Sequence, residues 1–285
     1  MTDLIEQLLG RIREQRKRVV IVGDTMLDRW VHGRIEPCMD GCPKFAQEGE
    51  VVDVPGGAAN AEHCLIHWNM LTSLYGYAQN DCPVKTRYVE DGKIVFRADE
   101  DGSALLRGAG YQWARVMALE MVECANGVLL SDYDKGFLTP EFIREVVTLC
   151  RARNVPCVAD CKRAPELYVG CVLKGNYDYA EKYPIRAMCE NGVVVTHGAD
   201  SPWYCKGGPM VIGVTIGQLL PVKCVNHVGA GDCFAAHLTL ALTYGFSLKE
   251  AAALAHSAGR VYVQHEHNRP PHPREVAADL STASL

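Results

Sequence analysis

A short glycine-rich stretch near the C-terminal end of the chain has residue types that suit phosphate chemistry. Gly229 and Gly231 flank Ala230, Asp232 follows, and the apolar run after them predicts a helix. Glycines let successive backbone N–H groups converge, and the start of a helix adds unpaired amides and the positive end of the macrodipole. A carboxylate beside such an anion site fits a general base. A tight turn with Asp232 as an ordinary N-cap is the open alternative.

A second glycine pair, Gly56 and Gly57, precedes Asn60 and an apolar run that reaches Trp68. A glycine pair that opens a helix brings the backbone close to a ligand, and Asn60 can present a neutral amide to it. Simple packing of a helix against a strand is the alternative interpretation.

Charged residues follow or interrupt the segments that read as strands. Asp24 and Asp28 come after the β-branched run 18–23, at the carboxyl end of a predicted buried strand, where ligands bind in open α/β sheets. A hairpin is predicted over 83–99, and Lys85, Arg87 and Arg97 are basic positions on it. These side chains form either a solvated face or a clamp on a substrate phosphate.

Strand and helix patterns alternate through the rest of the chain. Strands are predicted at 127–131, 155–160, 171–173 and 193–196, with Thr139 capping one helix and Ser247 opening what we expect to be the last helix. This alternation is typical of βαβ units and a largely parallel sheet. We expect one domain over 1–285, with short strands from about 31–54 and 83–99 forming a small β lid.

Composition narrows the class of protein. The 285 residues are 48% hydrophobic and 22% charged, as in ordinary soluble domains, and the net charge of -5 argues against a nucleic-acid or membrane surface. Residues 1–17 predict an amphipathic helix rather than a signal peptide. The 13 cysteines lack the spacing of zinc or redox motifs, which favours scattered thiols in a reducing cytoplasm.

Four motifs in order resemble the ribokinase-like (PfkB) sugar kinases along nearly the whole chain. They are Val22-Gly23-Asp24-x-Met26-Leu27-Asp28-Arg29, Pro55-Gly56-Gly57-Ala58-Ala59-Asn60, Leu130-Ser131-Asp132-Tyr133-x-Lys135-Gly136 and Gly229-Ala230-Gly231-Asp232. Within that family, the chain is most similar to the kinase half of the bacterial heptose-7-phosphate kinase/adenylyltransferases. The resemblance implies a Rossmann-like αβα sandwich with a β lid, and phosphoryl transfer from ATP and Mg²⁺ to a sugar hydroxyl.

The resemblance also implies a role for each matching residue. Asp232 would be the base, and the amides of Gly229, Ala230 and Gly231 would bind the transferring phosphoryl group, a division that suits a reaction catalysed mainly by positioning and charge stabilisation. The implied substrate-binding residues are Asp24, Asp28, Gly56, Gly57, Asn60, Lys85, Arg87, Arg97 and Lys162. The implied nucleotide-binding residues are Asn176, Thr196, Gly198 and His256. By analogy with the family, we expect a homodimer formed through the lid.

Two departures from the family pattern support a second hypothesis. Asn226 stands where the family has an aspartate tied to cation binding, and Tyr179 stands where it has a glutamate that helps to place Mg²⁺, so no metal ligand is assigned; Asp178 or Glu181 could substitute. The first hypothesis is an ATP-dependent kinase of a sugar or sugar phosphate, such as a heptose phosphate. The alternative is a diverged, catalytically weak protein of the same fold that binds a sugar or a nucleotide.

Overall fold

The architecture comes from a computed structural model, which describes residues 2–78, 81–101, 108–185, 191–207, 212–213 and 221–282. Its helices are α1 (Thr2–Glu14), α2 (Ala58–His63), α3 (Ala109–Glu123), α4 (Pro140–Ala152), α5 (Tyr177–Lys182), α6 (Ala230–Thr243), α7 (Leu248–Tyr262) and α8 (Pro273–Thr282). Its strands are β1 (Arg18–Gly23), β2 (Thr25–Glu36), β3 (Lys44–Gly57), β4 (Leu71–Tyr75), β5 (Val84–Glu90), β6 (Lys93–Glu100), β7 (Gly127–Asp132), β8 (Cys157–Cys161), β9 (Val172–Asn176), β10 (Val193–His197), β11 (Asp200–Cys205) and β12 (Ile212–Gly213).

Within the described ranges the main sheet has eight strands, in the order β12-β11-β10-β9-β8-β7-β1-β4. Six neighbouring strands of this sheet run parallel: β10, β9, β8, β7, β1 and β4. At one edge β11 pairs antiparallel with β10, and β12 pairs antiparallel with β11. Successive side chains of β1 point to opposite faces, as a strand requires. Val19 and Ile21 pack with α1, α2, α6, α7 and α8, whereas Val20 and Val22 pack with α3, α4 and α5. The predicted αβα sandwich is confirmed.

A second sheet of four strands, in the order β3-β2-β5-β6, stands apart from the main sheet. It corresponds to the predicted lid, but β2 and β3 are long strands rather than the short ones expected over 31–54. Both run back to the glycine pair, since Thr25 pairs with Gly57 and Met26 with Gly56. We call this sheet the lid.

The C-terminal end of the chain differs from the prediction. The Ser247 capping box is present, but α7 is not the last helix, because α8 follows it. Pro273 opens α8, a position that suits proline because the first amide of a helix has no partner to lose. Val276 and Leu280 lie one turn apart and are fully buried. The proline-rich segment before α8 hid this short amphipathic helix from sequence reasoning.

The parallel strands bring polar residues to one edge of the main sheet. Asp24 follows β1, Asp132 ends β7, Asp160 lies near the end of β8 and Asn176 ends β9. Since neighbouring parallel strands end at the same side, these residues line a single edge. The first turn of α6 also faces this edge, because Gly231 lies against Lys174 and Asp160. Among the described helices, none is long and apolar enough to cross a membrane.

Candidate active site

The turn that opens α6 is shaped by Gly229. Its φ of 82° lies in the left-handed region, and a Cβ at this position would overlap the side-chain amide of Asn60 and the hydroxyl of Tyr262. Both the conformation and the space therefore require glycine. Cys233 N donates to Gly229 O at 3.0 Å and closes the first helical turn, which places Asp232 inside that turn.

Asp232 is buried and held by two donors, one on each oxygen. Tyr133 donates its hydroxyl to Oδ1 at 2.5 Å, and Asn60 donates its side-chain amide to Oδ2 at 3.1 Å. Burial raises the pKa of Asp232 to about 7, the nearby charge of Asp160 adds to the rise, and the bonds from Tyr133 and Asn60 oppose it. A carboxyl group that titrates near neutral pH is suited to general-base catalysis.

Asn60 is fully buried, and its amide nitrogen also lies 3.2 Å from Gly229 O. It therefore joins α2 to the turn of α6. In this structure the amide contacts the predicted base Asp232, and the contact of Asn60 with a sugar hydroxyl, which the family resemblance implies, stays a prediction.

The predicted anion site is only partly as expected. Ala230 N donates to His227 O at 3.3 Å, so this amide already has a partner, and Val228 N donates to Asn226 Oδ1 at 2.9 Å. A Cβ on Gly231 would lie 3.0 Å from the Nζ of Lys174. The small residue at 231 thus makes room for an ammonium group beside the turn.

Lys174 is a residue that sequence reasoning missed. It is 2% exposed, and its Nζ lies 2.9 Å from Asp160 Oδ2. The only signal in the sequence is a single lysine inside an apolar strand, which indicates a buried partner but not which one. The other Asp160 oxygen has no hydrogen-bond partner among the described residues, although Lys162 Nζ is 4.0 Å away.

Two lysines from different elements converge on the ring of Tyr133. Lys85 Nζ, from β5 of the lid, lies 5.2 Å from the ring centroid, and Lys162 Nζ, after β8, lies 5.3 Å from it. Burial lowers the pKa of Lys85, whereas the charge of Asp160 raises the pKa of Lys162. Of the predicted basic residues, these two are next to the centre around Asp232.

Arg87 and Arg97 have carboxylate partners of their own. Arg87 is buried and donates to Asp28 Oδ1 at 2.7 Å, while Arg97 forms an exposed pair with Asp99. The structure therefore gives Arg87 an internal ion pair with Asp28, and its role in a clamp on a substrate phosphate stays a prediction. Asp28 lies directly below Gly56, where a Cβ would be 2.9 Å from its Oδ2.

Asn268 is a second residue that sequence reasoning missed. Its side chain donates to Asp28 Oδ2 at 3.2 Å and to Pro55 O at 3.1 Å, and it accepts from Asn226 at 3.2 Å. It is 1% exposed and has a left-handed backbone, with φ of 57°. Asn226, the departure from the family motif, is therefore bonded to a neutral amide that also reaches the base of the lid.

Asp24 holds a loop at the edge of the main sheet. It is fully buried, and its carboxylate accepts the backbone N–H groups of Tyr133, Lys135 and Phe137 at 2.8, 3.1 and 3.1 Å. Burial nevertheless raises its pKa. The carboxylate thus anchors the loop after β7, and its contact with a sugar hydroxyl stays a prediction.

The predicted nucleotide-binding residues occupy two regions. Asn176 caps α5 by accepting from Tyr179 N at 2.9 Å, and Thr196 and Gly198 lie at the end of the neighbouring β10 and in its turn. His256 is buried within α7, where burial and Arg260 lower its pKa to about 4. The first three share the edge of the sheet, whereas His256 lies inside a helix near the Arg260–Asp279 pair.

No residue set for a metal is apparent in the described part of the chain. Tyr179, at the position of the family glutamate, is buried and donates its hydroxyl to Arg163 O at 2.8 Å. Asp178 and Glu181 are exposed on α5. The described residues contain no group of three His, Cys, Asp or Glu that could hold a metal ion. These side chains do not by themselves form a Mg²⁺ site.

The fold is shared with solved structures of ribokinases. A putative ribokinase from Agrobacterium tumefaciens superposes with a TM-score of 0.71 at 18% identity, over 94% of this chain and 98% of its own. A ribokinase from Arabidopsis thaliana, complexed with ribose and ATP, superposes with a TM-score of 0.69 at 17% identity, over 93% and 99%. The architecture is therefore ribokinase-like.

Sequence comparison finds relatives among carbohydrate kinases. The model of the pfkB family carbohydrate kinases matches residues 177–274. The bifunctional protein HldE of Granulibacter bethesdensis is 24% identical over 94% of this chain and 66% of its own length. The chain thus spans about two thirds of the length of such relatives. The predicted resemblance to pfkB carbohydrate kinases is confirmed, and with it the prediction of a carbohydrate kinase.

Proposed function

We propose that the chain transfers the γ-phosphoryl group of ATP to a hydroxyl of a sugar or sugar phosphate, with Asp232 as the general base. The observation that carries the proposal is a buried carboxylate, with a pKa raised to about 7, in the first turn of α6 beside the glycine turn. In this reaction the acceptor oxygen forms a bond to phosphorus, its proton passes to Asp232, and the bond from phosphorus to ADP breaks.

Charge stabilisation near the turn comes from the chain's own groups. The N-terminus of α6 would supply positive potential where the transferring phosphoryl would lie, and the ammonium of Lys174, paired with Asp160, lies beside it. Mg²⁺, when bound with ATP, would neutralise phosphate charge, with phosphate oxygens and water as its main ligands. We assign the nucleotide to the side of Asn176, Thr196 and Gly198.

A sugar phosphate is the proposed substrate class. Lys85 and Lys162 gather two positive charges at the ring of Tyr133, next to Asp232, and such a pair favours a substrate that already carries a phosphate. The resemblance to HldE supports a heptose phosphate as the first compound to test.

The test is the Asp232→Asn variant with a panel of free and phosphorylated sugars. We expect ADP formation and the ³¹P NMR signal of the product to disappear, with ATP binding retained. Asp53→Asn, which alters an exposed carboxylate paired with Arg29, is the matched control and should remain active. Undiminished phosphorylation by Asp232→Asn would contradict the proposal.

A catalytically weak binding protein is the second candidate. It is favoured by the amide of Asn226 in place of a carboxylate, by the burial of Tyr179, and by the use of Ala230 N within its own turn. Calorimetry with ATP, with and without Mg²⁺, separates the two candidates. Binding that ignores Mg²⁺, with no ADP formed from any sugar, would favour this second function.

We also propose a homodimer through the lid. Ile35, Val51, Ile94 and Phe96 are apolar lid residues that are 40% to 61% exposed, and burying such surface is favourable. Sedimentation of Phe96→Glu should show a loss of dimer. Val116→Glu, at an exposed position on α3, is the control. A wild-type chain that sediments as a monomer at high concentration would refute this proposal.

A further inference from the structure

We infer that Tyr133 is a positioning residue that holds the proposed base Asp232 and places two lysines beside it. This inference rests on the proposed function of Asp232. Tyr133 belongs to the third of the four family motifs, and the family resemblance implies no role for its side chain.

The first support is the direction of the hydrogen bond. The Tyr133 hydroxyl lies 2.5 Å from Asp232 Oδ1, and the other oxygen is fixed by Asn60 at 3.1 Å. An ionised carboxylate acts only as an acceptor, and each of its oxygens has two lone pairs. One donor on each oxygen therefore fixes the plane of the carboxylate and leaves lone pairs for an acceptor hydroxyl.

The second support is the rigidity of the segment that carries Tyr133. Its backbone N–H donates to Asp24 Oδ2 at 2.8 Å, and the same carboxylate holds the N–H groups of Lys135 and Phe137. Asp24 N in turn donates to Ser131 O at 2.9 Å. The loop after β7 is thus tied to the end of β1 on both sides of Tyr133, and this explains why a carboxylate as buried as Asp24 is present.

The third support is the environment of the ring. Lys85 comes from the lid and Lys162 from the loop after β8, and each ammonium lies within 5.3 Å of the ring centroid. Cations at such distances are attracted to the ring face. The ring therefore links the lid to the main sheet through charge, at the residue whose hydroxyl holds the base.

The hydroxyl remains a donor throughout the neutral range. Burial and the charge of Asp232 raise the pKa of Tyr133 well above its ordinary value, so that it stays protonated. The bond that it donates lowers the pKa of Asp232 and so opposes the effect of burial. Without this bond, Asp232 would need a higher pH to act as a base.

The main experiment compares Tyr133→Phe with the wild type across pH 5 to 9. We expect kcat to fall by about ten- to a hundredfold, since hydrogen bonds to charged groups are worth about 1.5–3 kcal/mol. The acidic limb of kcat/KM should move to higher pH, while KM for ATP stays the same. Phenylalanine keeps the ring, so the lysines retain their partner. Tyr133→Leu should further raise KM for a phosphorylated sugar.

Two controls make the result specific. Tyr244→Phe removes another buried tyrosine hydroxyl, which contacts Lys17 N and Gln15 O far along the chain, and it should leave the pH profile unchanged. Replacing Tyr133 with a fluorinated tyrosine preserves the shape and strengthens the donor, so it should move the acidic limb to lower pH. This second substitution also keeps the test valid if Tyr133→Phe folds poorly.

The outcomes separate this inference from the proposed function. If Asp232→Asn is inactive but both substitutions at Tyr133 leave the pH profile in place, the positioning role is refuted and the general base stands. If Asp232→Asn is fully active, the proposed function fails first. Opposite shifts from phenylalanine and fluorotyrosine would support the inference.

Discussion

The buried carboxyl group of Asp232 should reduce the stability of the folded protein at neutral pH. Replacing Asp232 with Asn should reveal this effect. In the folded state the pKa of Asp232 is raised to about 7 from an ordinary value of 3.8. Between these two values the folded chain binds a proton that the unfolded chain has released. Stability therefore falls as the pH rises from about 4 to 7, and the group no longer changes it outside that window.

The expected size follows from the shift. A difference of about three pH units corresponds to about 4 kcal/mol, at 1.36 kcal/mol per unit. Asn at position 232 cannot ionise, but it has one carbonyl oxygen for the two donors that Tyr133 and Asn60 present. A buried donor without an acceptor costs about 1–3 kcal/mol. We expect Asp232→Asn to be less stable than the wild type at pH 4 and more stable at pH 8.

The assay is urea unfolding followed by circular dichroism at several pH values, for both chains. At each pH we take the difference between the unfolding free energies of the variant and the wild type. The lost hydrogen bond changes this difference by the same amount at every pH, so the informative quantity is how the difference varies with pH. Asp53→Asn is the control, because Arg29 lowers the pKa of Asp53 below its ordinary value of 3.8, so the stability change that it causes falls at lower pH and its difference should stay nearly constant over this range. A difference for Asp232→Asn that stays constant from pH 4 to 8 would refute the reasoning.

Three further predictions concern activity and packing. Since Asp232 must be ionised to act as a base, kcat/KM should fall about tenfold per pH unit below pH 7, and a flat profile down to pH 5 would contradict its assignment. Gly229→Ala should lower the free energy of unfolding by about 1–2 kcal/mol because the backbone at this position is left-handed, and by more because the new Cβ overlaps Asn60. Urea unfolding measures this loss, and an unchanged midpoint would count against the tight turn. Arg87→Met should lower the free energy of unfolding by about 3–5 kcal/mol, because it leaves Asp28 buried and unpaired. Combining Arg87→Met with Asp28→Asn should recover part of that loss. Arg97→Met, at an exposed pair, should lower it by less than about 1 kcal/mol. Equal losses from Arg87→Met and Arg97→Met would show that the burial of the first pair does not matter.

The sequence was sufficient for the elements with a strong local signal. The β-branched run of β1, the hairpin of β5 and β6, the Thr139 cap and the Ser247 capping box all appear as predicted. Each depends on neighbours within a few residues. The second helix after Ser247 was missed because its prolines read as an interruption, although Pro273 in fact opens it.

The candidate site could be predicted only as a set of residue types. The motifs placed Asp232, Asn60 and Asp24 in one site, but they did not predict the contacts of these residues. A buried carboxylate binds a ligand or a loop depending on which backbone amides reach it. Asp24 is occupied by the loop after β7, and Arg87 is occupied by Asp28. Lys174 and Asn268 lie outside any motif, and only the packing of distant segments brings them to the site.

The hydrogen bonds of Asn268 have a consequence for the order in which the protein assembles during synthesis. Asp28 and Pro55 belong to the first fifth of the chain, Asn226 to the last quarter, and one side chain near the end joins all three. During synthesis the lid strands emerge long before this bridge can form. The bridge from Asp28 and Pro55 to Asn226 cannot form until residue 268 has left the ribosome. The complete centre can therefore assemble only after residue 268 has emerged, and a chain that stops short of Asn268 should fold without this bridge between the lid and Asn226.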